Sequence, residues 1–174
     1  LKHRGNDSSK IKYIENLKVF LGFQRLSIQD PSDKGNQPMS DSKKKVHIIF
    51  NGEIYNFREL KLELKNDGFI FFNSSDTEVI LLGYKNWGIK KLLSKIEGMF
   101  AFAIVDETIN KIFLARDKFG MKPMFYSAGD NFIFSSECKT ILKLLKTNQW
   151  DIRGVLNPMF TTYSSPEGKT LFKD

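Results

Sequence analysis

The chain is 174 residues long with 41% hydrophobic content, enough to bury one sizeable core and not obviously more than one. Its formal charge of +7, from 27 basic and 20 acidic residues, does not gather into a nucleic-acid site: Lys43-Lys44-Lys45 and Lys90-Lys91 lie beside turn signals or on a helix face, without an RNA-binding aromatic motif, so they read as solvated surface. A lone cysteine, Cys138, excludes an internal disulfide framework, no apolar run is long enough for a membrane span, and no N-terminal stretch has the order of a signal peptide. The cytoplasm is the expected compartment.

The segment Leu1 to Asp7 holds the compact polar group His3-Arg4-Gly5-Asn6-Asp7, and no strand or helix pattern precedes it. Leu17 to Phe23 and Arg25 to Ile28 alternate well enough for strand, and Asp30 to Pro38 is dense in turn formers. The apolar run Val46-His47-Ile48-Ile49-Phe50 predicts a buried strand. Phe57 to Asn66, with Phe57, Leu60 and Leu64 at helical spacing and Gly68 past the end, predicts an amphipathic helix. Between them, Asn51-Gly52-Glu53-Ile54-Tyr55-Asn56 is expected to form a strand-to-helix corner. Two readings are open there. One is structural, with Asn56 capping the helix and Glu59 as its N3 partner. The other is a ligand site: glycine admits close backbone approach, while Asn and Glu offer an amide donor and a carboxylate acceptor.

Phe69 to Phe72 reads as a short strand, and Ser74 to Glu78 introduces a helix carrying Val79, Ile80, Leu82 and Tyr84, with Ser75 and Glu78 as a capping box. Asp76 in that first turn suits the helix dipole with no function at all, and a carboxylate there can also hold a ligand. Met99 to Val105 is apolar throughout, as a strand covered on both faces would be. Asp106 to Asn110 then forms a hairpin loop and Lys111 to Arg116 returns. Met124 to Tyr126 and Phe132 to Phe134 make another hairpin, after which Ser136 caps a helix through Leu145. Cys138, set among Ile141, Leu142 and Leu145 in that helix, reads as an inert thiol. Trp150 to Asp174, with Pro158, Pro166 and Gly168, reads as a linker. The expected organisation is a domain over 1–149 and a linker over 150–174. Arginine occurs at only five places, Arg4, Arg25, Arg58, Arg116 and Arg153. In a lysine-rich chain this hints at positions where a planar fork matters.

Taken in order, His3 to Asp7, Arg25-Leu26-Ser27-Ile28, Gln37-Pro38-Met39, Asn51 to Asn56, Ser75 to Ile80, Gly98 to Ile104, Ala115 to Pro123 and Ser136-Glu137 resemble the glutaminase domain of glutamine-hydrolysing asparagine synthetases, class II glutamine amidotransferases. The likeness runs over about residues 1–145. It implies an α+β, N-terminal-nucleophile hydrolase fold, a four-layer α/β/β/α sandwich of antiparallel sheets. It also implies a reaction in which an N-terminal Cys, with its own α-amino group as base, attacks the side-chain amide of glutamine. The ammonia released would then amidate ATP-activated aspartate in a second domain. By matching positions, the Asn51 side chain and Gly52 N–H would form the oxyanion hole, and Arg25 would hold the substrate's α-carboxylate. Asp76 with Glu53 would hold its α-ammonium, and Leu26, Ser27, Ile28 and Gln29 would line the pocket.

The family's nucleophilic Cys has no counterpart in this sequence, which begins at Leu1, and Cys138 does not match its position. A second departure is Asn6, where the family usually has Pro. The expectation is a glutaminase domain truncated at both ends and inactive alone. Its partners would be glutamine and a synthetase domain of the same chain, with homodimerisation of the full enzyme. No cofactor is expected in these residues; ATP and Mg would belong to the synthetase domain. The alternatives are another class II amidotransferase, acting on an amino sugar or polysaccharide, and a catalytically silent glutamine-binding domain.

Overall fold

In the computed structural model, residues 3, 5, 8–25, 35–146, 149, 151, 170 and 172 are described. The chain divides into two compact units, Leu1–Lys122 and Pro123–Asp174. The first opens with β1 (Ser8–Ile14) and β2 (Val19–Arg25), an antiparallel pair in which Ser8 faces Arg25 and Ile14 faces Val19. A 3-10 turn over Glu15–Leu17, closed by Lys18 in the left-handed region, joins them. Leu17, expected in the strand, therefore belongs to the turn. β1 had no clear sequence signal because its outward positions mix Lys with Ile11 and Tyr13.

A four-stranded antiparallel sheet follows in the order β3-β4-β5-β6: β3 (Met39–Ser40), β4 (Val46–Ile54), β5 (Gly98–Asp106) and β6 (Lys111–Arg116). Helix α1 (Phe57–Asn66) and helix α2 (Asp76–Lys95) supply the packing for one face. Ile48, Phe50 and Ile54 of β4, Phe100, Phe102 and Ile104 of β5, Leu60 and Leu64 of α1, and Val79, Ile80 and Leu92 of α2 form one buried cluster. β5 is the central strand, and Phe100 to Asp106 are all buried, as the unbroken apolar run predicts. Alternation puts Ala101, Ala103 and Val105 on the face away from that cluster. On this second face, buried His47 bonds Glu107 through Nε2 at 2.9 Å and Ser40 Oγ through Nδ1 at 2.8 Å. Lys12 Nζ donates to Ser40 Oγ at 2.7 Å, so one polar chain ties β1, β3, β4 and the β5–β6 turn.

Three local expectations change. β4 runs on to Ile54, so Asn51, Gly52 and Glu53 are strand residues paired with Ala101, Phe100 and Met99, not a corner. Phe69 to Phe72 forms no strand; instead the N–H groups of Phe72 and Asn73 donate to the Glu78 carboxylate. Ser75 caps α2 by accepting from Glu78 N, but Glu78 reaches past Ser75 to those upstream amides, so only half of the capping box forms. Gly88, with φ 73° and ψ 170°, kinks α2.

The second unit contains the hairpin β7 (Phe125–Ala128) and β8 (Phe132–Ser135), followed by α3 (Cys138–Leu145). Glu137, not Ser136, is the N-cap of α3. The linker expected over 150–174 lies almost wholly outside the described residues. No helix among the described residues is long and apolar enough to cross a membrane.

Candidate active site

The outer edge of β4 organises the site. In an antiparallel strand, alternate residues turn their N–H and C=O groups to the same edge. Val46 N donates to Asp41 Oδ1 at 3.0 Å, and Ile48 pairs with Met39 of β3. Phe50 N donates to Gln37 Oε1 at 2.6 Å, and Ile54 N donates to Asp76 Oδ2 at 3.0 Å. The same alternation puts Gly52 N–H in this row, between the Gln37 and Asp76 side chains. No side chain among the described residues accepts from it.

Only glycine fits at position 52. Its φ is +153°, and a Cβ there would run into Met99 O and, at 2.7 Å, Phe100 Cα. Gly98 answers it across the ladder, where a Cβ would strike Glu53 O. The two glycines let β4 and β5 close tightly where the predicted oxyanion donor lies. Asn51 and Glu53 project to the face opposite the helical core. A cavity of about 480 Å³ opens beside Glu53, lined also by Phe57, Arg58, Lys61 and Ser74. Another, of about 490 Å³, lies along β3, Phe69 and Lys85 and holds none of the predicted site residues.

Asp76 is 5% exposed at the start of α2. Burial pushes its carboxyl up to about 6 against the pull of the Ile54 and Thr77 amides, and the negative charge of Glu53 adds to the rise. Arg25, at the end of β2 and buried, donates from Nη1 to Asn36 Oδ1 at 2.7 Å. Asn51, Gly52, Glu53, Asp76 and Arg25 thus all fall within the first unit. Leu26, Ser27, Ile28 and Gln29 lie outside the described residues.

Asn56 occupies the N-cap of α1, yet its side chain makes no capping bond. It donates to Lys95 O at 2.8 Å and accepts from Glu97 N at 3.0 Å, tying the end of β4 to the end of α2. Asp117 is a second residue whose role local pattern did not reveal. Its carboxylate accepts from the N–H groups of Phe100, Phe119, Met121 and Lys122, and its own N–H donates to Phe100 O. It therefore anchors the β5 residue that faces Gly52. Cys138 is half-buried in α3, and burial raises its thiol above the usual range, in the direction that disfavours the thiolate.

Antiparallel sheets packed with helices, with a glycine-tight strand edge beside a buried carboxylate, fit an α+β fold of the N-terminal-nucleophile hydrolase class. A solved structure of glutamine phosphoribosylpyrophosphate amidotransferase from B. subtilis, complexed with ADP and GMP, matches with a TM-score of 0.62 and 28% identity, covering 74% of this chain and 30% of that one. The family described as glutamine amidotransferase domain matches residues 1–174. The chain belongs to that family. It is 43% identical over 141 residues to asparagine synthetase [glutamine-hydrolyzing] 1 of Bacillus subtilis, covering 80% of this chain and 22% of the relative. It is 40% identical over 169 residues to putative asparagine synthetase [glutamine-hydrolyzing] 2 of Methanocaldococcus jannaschii, covering 86% and 32%. Amidase chry2 of Gibberella zeae is 35% identical over 156 residues, covering 89% and 23%. The chain spans between about a fifth and a third of the length of these curated relatives.

Proposed function

We propose that this domain hydrolyses the side-chain amide of glutamine and supplies the ammonia for ATP-dependent amidation of aspartate by another domain of the same protein. The observation that carries the reading is the β4 edge: Gly52 N–H stands between two occupied positions of one row, with a pair of carboxylates at one end of it.

A glutamine whose α-ammonium meets Asp76 and Glu53, and whose α-carboxylate meets Arg25, would have two opposite charges anchored before reaction. Its amide carbonyl would lie toward Gly52 N–H and the Asn51 side chain. Attack by a thiolate turns that carbonyl into an oxyanion, and donors aimed at the developing charge contribute about 3–4 kcal/mol each to lowering the barrier. The amide nitrogen leaves as ammonia once it has taken a proton, and water then hydrolyses the thioester to glutamate. The nucleophile we assign is the N-terminal Cys that the family resemblance implies. Cys138, the one thiol in residues 1–174, is not that residue. Glutamine hydrolysis draws on no cofactor; ATP and Mg serve the aspartate step. The compartment is the cytoplasm, and the full enzyme is a homodimer.

The test is ammonia release from L-glutamine by the intact protein, with Asn51→Ala beside it. The substitution should lower kcat about 100- to 1,000-fold with little change in KM. An intact protein that makes no ammonia from glutamine overturns the reading. Likeness to Amidase chry2 makes a different amide acceptor the second reading, and asparagine formation from aspartate, ATP and glutamine decides between them.

A further inference from the structure

We propose that Gln37 is the positioning residue of the glutamine site, setting the distance between the oxyanion donors and the ammonium-binding carboxylate. The proposal rests on the glutaminase reading above. Met39 faces Ile48 and Ser40 faces His47 in the short β3–β4 ladder, so continuing the register places Gln37 opposite Phe50. The side-chain amide makes the pairing there. Gln37 Oε1 accepts from Phe50 N at 2.6 Å, and Nε2 donates to Phe50 O at 3.1 Å, copying a peptide group of the edge strand. The second Nε2 hydrogen points to Thr77 Oγ1 at 3.3 Å.

Phe50 precedes Asn51 and Gly52, and Thr77 follows Asp76. One buried amide, 7% exposed, therefore links the strand that carries the oxyanion donors to the helix turn that carries the ammonium-binding carboxylate. The adjoining residue extends the link: Asn36 Oδ1 accepts from Arg25 Nη1 at 2.7 Å and from Ser8 Oγ at 3.1 Å. The dipeptide Asn36-Gln37 thus bonds Arg25 directly and bonds the chain neighbours of Asn51 and of Asp76. The role requires an amide, because only that group offers one acceptor and two donors in a plane. A carboxylate of the same shape loses both donors and sets a charge against Phe50 O. Misplacement of reacting groups by about 1 Å is enough to cost a hundredfold in rate.

The experiment measures glutamine-dependent ammonia release by the intact protein carrying Gln37→Glu, Thr77→Val, Thr77→Ser or, as a control, Leu81→Ala. Leu81 is a core residue of α2 outside the network. Thr77→Val loosens only the Asp76 side, so KM should rise at least tenfold with kcat within twofold, and Thr77→Ser should restore the parent KM. Gln37→Glu loosens both sides and should raise KM and lower kcat, each at least tenfold. Leu81→Ala should lower the melting temperature and leave KM unchanged. Should Gln37→Glu fail to fold, the two Thr77 variants decide. An active parent whose Thr77→Val variant keeps KM within twofold overturns the positioning role alone, as does a Leu81→Ala variant that shifts KM equally. A parent protein that neither binds nor hydrolyses glutamine overturns the glutaminase reading, and the positioning role with it.

Discussion

Asp76 and Asp117 are both buried carboxylates, 5% and 6% exposed, and both accept hydrogen bonds from backbone amides beside the same pair of strands. Their chemistry diverges. Burial raises the Asp117 carboxyl, but amides from Met121, Lys122, Phe100 and Phe119 outweigh it and leave the group below the usual carboxylate range. Asp76 accepts from Ile54 and Thr77 and faces the charge of Glu53, so desolvation wins and its carboxyl rises to about 6. Four donors satisfy Asp117 within the fold. Asp76 keeps a negative charge at neutral pH without enough partners to offset its burial, the condition in which a ligand's ammonium stabilises it.

The largest effect expected is at Asp117. Replacement by Ala leaves four backbone amides without their carboxylate and should cost about 3–5 kcal/mol, read as a lowered denaturant midpoint. Because its folded pKa is depressed, the stability it contributes is present above the ordinary carboxylate range and is lost as pH falls through the folded value. Gly52→Ala tests the strand contact that Asp117 supports. A methyl group against Met99 O and Phe100 Cα at a φ of +153° should destabilise by about 3 kcal/mol.

Asp76 should respond with the opposite sign. Its folded pKa is raised, so the folded chain retains a proton between about pH 4 and pH 6, and stability declines as pH rises through that window. Asp76→Asn should therefore increase stability at pH 7 by about 2 kcal/mol while weakening glutamine binding at least tenfold. In the parent protein, glutamine affinity should fall by about tenfold per pH unit below about 6. Calorimetric titration across pH reads both, and a destabilised Asp76→Asn would place Asp76 with Asp117 as a structural group. The smallest effect is at Cys138, where Ser should change stability by less than about 1 kcal/mol and glutamine turnover not at all.

Much of this was legible before any coordinates. Helical spacing in Phe57 to Asn66 and the unbroken apolar run of Met99 to Val105 became α1 and β5 because each pattern matches a single way of burying side chains. The hairpins around residues 106–110 and 128–131 followed from their turn formers. β3 escaped notice, since two residues ending a loop carry no period, and Phe69 to Phe72 looked like strand although its amides turn to Glu78. Glu78 and Asn56 sat where local capping rules put them and then bonded groups those rules do not consider.

Residue types in order carried the family resemblance: one of five arginines at Arg25, an Asn-Gly-Glu run, an Asp at a helix start. Those are properties of a chain read along its length. Three-dimensional packing decided which groups share an edge. Gln37 and Phe50 are 13 residues apart, and Ile54 and Asp76 are 22 apart. Whether an amide meets a carboxylate at such separations depends on strand register and helix placement, and both are settled by burial of the common core rather than by any local preference. The resemblance carried by the sequence supplied the candidate substrate-binding groups. The fold showed that Gly52 N–H lies between Gln37 and Asp76, and that Asp117, just past the end of β6, holds Phe100 of β5 against it.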